Sequence, residues 1–180
     1  MVFVDLCGST AHISGADPEE ARDYLDGAFR LMTGAVESYG GTISRLLGDG
    51  LLALFGAPVA QEDHALRACL AALAMQQRAS EANDHGEQRR PLQLRIGVAS
   101  GEALVGVACE YGWAYYRADG LIVHLAARLE QMARPGSVLV SGSTISLVGA
   151  QLKATALGSH EVRGLDTPVS LYELTPACRG

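Results

Sequence analysis

The stretch RLLGDGLLALFG, residues 45–56, decides how the rest of the chain is read. Apolar runs flank Gly48-Asp49-Gly50 on both sides. The pattern predicts strand, tight turn, strand, because glycine supplies the backbone freedom that a turn needs. An aspartate at the tip is by itself an ordinary turn former, since its short side chain can bond its own backbone. It gains chemical meaning only if a second carboxylate stands at the end of a neighbouring strand. MVFVDL, residues 1–6, offers one: an apolar strand reaching Asp5, followed by the turn Cys7-Gly8-Ser9-Thr10, which opens a short helix.

Working outward, Asp17-Pro18-Glu19-Glu20 is a helix start, with Asp as the cap, Pro at the first position and Glu at the third. Leu25, Ala28, Met32, Ala35, Val36 and Tyr39 follow helical spacing until Gly40-Gly41 ends the run. A second amphipathic helix is predicted from about residue 62 to 81, with Leu66, Cys69, Leu70 and Leu73 on its apolar side. Residues 80–91 read as a polar loop, and residues 92–108 as a strand pair turning around Gly101. A helix over 119–133 is stopped by Arg134-Pro135-Gly136. A strand in SVLVSG, a short helix in STISLVG and an antiparallel pair from KATALGSHEV and VSLYEL complete the chain.

This order predicts an α+β fold: a ferredoxin-like palm (βαββαβ) sheet with helices on one face, plus a C-terminal α/β extension. The strand holding Asp5 would lie beside the GDG hairpin at the sheet centre. Asp5 and Asp49 would then finish at the same end of adjacent strands.

Composition bounds the function. The chain has 180 residues, 48% of them hydrophobic and 19% charged, as expected of one globular domain. Net charge is −6, and no basic run exceeds Arg89-Arg90, which argues against nucleic acid as a partner. No apolar run approaches the ~20 residues needed to span a bilayer, and no export signal is visible. Cys7, Cys69, Cys109 and Cys178 are scattered without a CxxC pair, which predicts reduced thiols and a cytoplasmic location. A strand directly after Met1 suggests a domain excised from a longer protein.

Two carboxylates held together repel and call for a cation. Oxygen ligands at exposed turns favour Mg2+ or Mn2+ over zinc. Two such ions, bridged by both carboxylates, would make a two-metal phosphoryl-transfer site. Cys7, Gly8, Ser9 and Thr10 would then cradle phosphate, glycine allowing close approach and helix-start amides favouring anions.

FVDLCGST, LLGDGLLALFGAP, LRIGVASGEALVG and VHLAARLEQMARPGSVLVS, in that order, resemble the successive signature blocks of class III nucleotidyl cyclase catalytic domains. The resemblance runs from Val2 to about Leu174 and implies a catalytic domain over 1–176 with a tail at 177–180. It implies conversion of ATP, less often GTP, to the 3′,5′-cyclic monophosphate and pyrophosphate, by homodimers with active sites at the subunit interface. It assigns two Mg2+ (or Mn2+) ions per site to Asp5, Asp49 and the Leu6 carbonyl. Arg128 matches an arginine that acts from the opposite subunit on the α-phosphate, and Arg95 and Arg163 match positions that reach the β- and γ-phosphates. His124 and Arg128 are four apart and project from one side of their helix, beside the stripe Leu121, Leu125, Leu129 and Met132.

Three positions depart from the family pattern. Arg45 stands where a base-reading lysine is usual, and Arg117 where its Asp or Thr partner is usual. Two arginines remove the acceptor and set like charges against each other. His124 replaces a ribose-orienting asparagine and can still donate one hydrogen bond. The HLAAR variant resembles a bacterial subgroup fused to regulatory ATPase and repeat modules. An alternative from another class is a degenerate cyclase fold that binds nucleotide or dimerises to regulate attached domains. A diguanylate cyclase palm is disfavoured, because GDGLL stands in place of its GG(D/E)EF turn.

Overall fold

The computed structural model describes residues 1–86, 90–110 and 112–175, and the side chains of all of these except His12, Ile13 and Trp113. The expected 177–180 tail, Cys178 and Arg89 lie outside the described residues.

Strand β1 (Val2–Leu6) leads through helix α1 (Ser9–Gly15) into α2 (Pro18–Ser38). The predicted start of α2 forms: Asp17 caps it, its side chain accepting from the Glu19 amide at 3.0 Å. The hairpin β2 (Thr42–Leu47) and β3 (Gly50–Leu54) follows, then α3 (His64–Asp84) and β4 (Leu94–Val98). These elements make the expected palm, with strand order β2-β3-β1-β4 and antiparallel neighbours throughout. After the hairpin β5 (Leu104–Glu110) and β6 (Trp113–Asp119) come α4 (Leu121–Met132), β7 (Val138–Ser141), α5 (Gly142–Val148), β8 (Ala154–His160) and β9 (Val169–Leu174). The last three strands extend the sheet to seven, β7 joining β4 in parallel.

The helices do not all lie on one face as expected. Strand side chains alternate between faces. Val2, Val4, Leu6, Ile96 and Val98 bury against α2 and α3, while Phe3 packs with the cluster built on α4. Gly97 lets α4 settle on this second face: a Cβ there would overlap the Ala126 carbonyl oxygen and the Glu130 amide nitrogen.

Other boundaries shift because of tertiary pairing and packing. β4 pairs with β1 and β7, and β5 pairs with β6 in a separate two-stranded sheet, so residues 92–108 are not a strand pair. Residues 80–84, expected as loop, continue α3. The buried side of α3 is lined by alanines, Cys69 and Met75, with Leu66 and Leu73 only partly buried; small side chains let the helix come close to the sheet and to α2. On α4, Leu121 and Met132 are exposed, and the buried stripe is Ile122, Leu125, Ala126 and Leu129. That helix begins after Gly120 (φ 140°), leaving Asp119 as the last residue of β6.

Candidate active site

Antiparallel pairing of β1 and β3 sets Asp5 opposite Gly50, the residue after Asp49. The Leu6 amide donates to the Asp49 carbonyl oxygen at 3.2 Å, locking the β2–β3 turn against the end of β1. Gly48 makes that turn possible with a positive φ of 56°. Gly50 allows the close strand approach, since a Cβ there would collide with the Val4 carbonyl oxygen. The two aspartates thus stand side by side at one end of the sheet.

Their surroundings are polar and specific. Ser9, buried at the start of α1, donates its hydroxyl to Asp49 Oδ2. Arg95 on β4, paired with Asp5 in register, places Nη2 at 2.5 Å from Asp5 Oδ2. Arg95 Nε lies 3.2 Å from Glu130 Oε1, an ion pair without hydrogen-bond geometry, so both buried atoms remain unsatisfied. Burial holds the Asp5 carboxyl above its ordinary range; Arg95 opposes this, and the charge of Asp49 adds to it. Burial likewise pushes Glu130 up to about 7, helped by the charge of Asp5.

Glu130 carried no signal in the sequence reading. An acidic residue on an amphipathic helix reads as solvent-facing, yet this one is 7% exposed. In the turn after β1, Gly8 has φ 71°, which permits the tight turn, but the Cys7 amide is spent on the Gln93 carbonyl at 2.8 Å and is not free for a phosphate. Burial raises the Cys7 thiol, which keeps it protonated. Thr10 is exposed on α1, and the Leu6 side chain is buried in the core.

A second group forms around a cavity of about 370 Å³ with an apolar floor that includes Phe3, Leu47 and Leu52. Arg45, Arg117 and His124 all line it, as do Tyr115 and Asp119, which the sequence reading passed over. Arg45 lies over the Tyr115 ring, 5.5 Å from its centroid, and donates to the Tyr115 hydroxyl at 3.1 Å. Arg117 donates from Nε and Nη2 to Asp119 Oδ1 at 3.1 and 3.0 Å. The two arginines are therefore each engaged by a different partner. An acceptor, missing at 117, stands two residues further along the same strand.

Arg128 is half-buried on α4, its Nη1 donating to Gln131 Oε1 at 2.7 Å. Arg163 is exposed in the segment between β8 and β9, and β8 is four strands away from β1. Among the described residues no contact joins either arginine to the aspartates within one chain.

The donor set suits a hard divalent cation. Two aspartate carboxylates crowd one strand end, and among the described residues no cluster of three or more His, Cys, Asp or Glu forms a closed cage. Mg2+ keeps several waters and takes one or two carboxylates plus phosphate oxygens, which this open pair can accommodate. Among the described residues no helix is long and apolar enough to cross a membrane.

The arrangement matches known proteins along its full length. Residues 1–175 fit the family model for the adenylate and guanylate cyclase catalytic domain. Adenylate cyclase 1 of Rhizobium meliloti (strain 1021) is 33% identical over 183 residues, covering 99% of this chain and 27% of that protein. The chain thus spans about a quarter of that relative. The crystal structure of the adenylyl cyclase CyaB from P. aeruginosa superposes with a TM-score of 0.91 at 28% identity, covering 99% of this chain and 93% of that one. The guanylyl cyclase Cya2 gives a TM-score of 0.89 at 31% identity, over 96% of this chain and 89% of that one. With the family model spanning the sheet, both aspartates and the α4 arginine, the chain belongs to the family of adenylate and guanylate cyclase catalytic domains.

Proposed function

We propose that this chain is the catalytic domain of a purine nucleotide cyclase that converts ATP to 3′,5′-cyclic AMP and pyrophosphate as a homodimer. The observation that carries this reading is the convergence of Asp5 and Asp49 at adjacent strand ends, on a sheet whose α4 bears His124 and Arg128. ATP is favoured over GTP by the kinship with Adenylate cyclase 1 and CyaB.

Asp5, Asp49 and the Leu6 carbonyl would hold two Mg2+ or Mn2+ ions. When bound, the ions lower the pKa of the 3′-hydroxyl and offset charge on the phosphates. The 3′-oxygen bonds to the α-phosphorus while the bond from that phosphorus to the bridging oxygen breaks. Pyrophosphate leaves, and the hydroxyl proton passes to solvent. Cys7, Gly8, Ser9 and Thr10 line the triphosphate, Ser9 keeping Asp49 in position through its hydroxyl. Arg95 balances the charge of Asp5 and reaches the phosphate chain. Arg128 and His124 serve the site of the opposite subunit, Arg128 at the α-phosphate and His124 at the ribose, and Arg163 adds positive charge at the β- and γ-phosphates. Within one chain Arg128 does not contact the aspartates, which suits a site completed by a second copy. Regulation by fused ATPase or repeat modules is part of the proposal, in keeping with the chain's small share of its relative.

The test is to incubate the 180-residue chain with ATP or GTP and Mn2+ and to assay both cyclic products. Cyclic AMP that disappears in Asp49→Asn, formed at a rate rising more than linearly with protein concentration, is the expected result. Arg45 and Arg117 at the family's base-reading positions motivate a second reading, a regulatory module. Tight nucleotide binding with no product at any concentration would establish it.

A further inference from the structure

We propose that Asp119 is the specificity-determining acceptor for the exocyclic 6-amino group of the purine base. The base would sit in the cavity between β2, β6 and α4, and the assignment rests on the cyclase reading above.

The cavity has the form of a site for a flat, edge-polar ring. Its volume of about 370 Å³ lies in the range of small-molecule pockets, ~300–1,000 Å³. Phe3, Leu47, Leu52 and Val123 give it apolar surface against which ring faces can pack. Its charged lining is two guanidinium groups, Arg45 and Arg117, and a single carboxylate, Asp119. Arginine has donors only, and an ionised aspartate has acceptors only. Adenine presents ring nitrogens that accept and a 6-amino group that donates. Among the charged groups only Asp119 can receive that amino group.

The geometry leaves Asp119 free to do so. Residues 115, 117 and 119 share one side of β6 and line the cavity, where Ala118 and Gly120 complete that wall. Arg117 reaches both oxygens of Asp119, donating to Oδ1 from Nε and Nη2 and placing Nε 2.8 Å from Oδ2, which fixes the orientation of the carboxylate. A carboxylate has about four acceptor positions, so this pairing leaves capacity for a ligand. Arg45 is held on the Tyr115 ring, its Nη2 spent on the Tyr115 hydroxyl and its remaining N–H groups available to a ring nitrogen. The carboxylate also lets two like charges share one wall. In the same pose guanine would turn its O6 lone pairs toward Asp119, which disfavours it.

The experiment compares ATP with purine riboside 5′-triphosphate, which lacks only the 6-amino group, using the full chain with Mn2+. Wild type should prefer ATP in kcat/KM by at least about tenfold, as loss of a hydrogen bond to a charged group implies. Asp119→Ala should bring that ratio close to one through a fall for ATP alone. Arg117→Ala serves as the second variant: it releases the tether but keeps the acceptor, so both substrates should weaken while the ratio persists. The proposal is overturned if wild type does not discriminate, if Asp119→Ala keeps the ratio, or if both substrates fall together in that variant. No product from either substrate would instead overturn the cyclase reading itself.

Discussion

Gly97 on β4 and Glu130 on α4 meet backbone to backbone, with no room between them for a single methyl group. The helix that bears His124 and Arg128 is seated on the sheet through this contact. Gly97→Ala should lower the unfolding free energy by about 1–3 kcal/mol, the usual cost of overpacking. Chemical denaturation measures it directly. A variant as stable as wild type would show that α4 moves away at no cost.

Ser9 and Asp49 are joined by a hydrogen bond from the start of α1 to the β2–β3 turn. If Asp49 holds a divalent cation, Ser9 orients the ligand without touching the ion. Such partners typically contribute 10–100-fold in metal affinity. Ser9→Ala should weaken Mn2+ binding by about that factor, read by magnetic-resonance titration of free Mn2+ with no nucleotide present. Unchanged affinity would detach Ser9 from the metal.

The buried Glu130 ties stability to pH. Its pKa rises from 4.5 to about 7 on folding, through burial first and the charge of Asp5 second. The folded state therefore holds this proton more tightly than the unfolded state. The stabilisation is fully present below pH 4.5 and is lost as pH climbs toward about 7. Glu130→Gln cannot titrate, so the stability of wild type minus that of the variant should fall steadily across this window. A flat difference would mean that Glu130 keeps its charge throughout, held ionised by Arg95.

Division of the site between two subunits makes a mixing prediction. Asp49→Asn and Arg128→Ala should each be inactive alone. In a mixed dimer one of the two sites regains both an intact Asp49 and an intact Arg128. With random pairing, activity should return to about a quarter of wild type. No recovery, in a mixture shown to exchange subunits, would place Arg128 and Asp49 in a single-chain site.

Much of the fold was legible because local signals agreed with the tertiary outcome. Asp17-Pro18 capped α2, the GDG turn joined β2 to β3, and alternation along β1 set its two faces. The misreadings share one cause. β4 and β5 are adjacent in the chain and look alike, but the side-by-side partners of β4 are β1 and β7, which lie far from it in sequence. The alanine-rich side of α3 was hidden behind its leucines for a similar reason: a helix close to its neighbours buries small residues.

Sequence by itself placed Asp49 in its turn and Asp5 at the end of its strand, since both are written in residue type and short-range spacing, while the family resemblance singled out His124 and Arg128 on α4. Only the tertiary structure decided that Asp119 lines the cavity paired with Arg117, that Tyr115 holds Arg45, and that Glu130 is buried beside Arg95. Those relationships depend on which strand lies beside which and on which face a helix lands. Packing settles both through contacts between residues distant in the chain, and no local pattern encodes them.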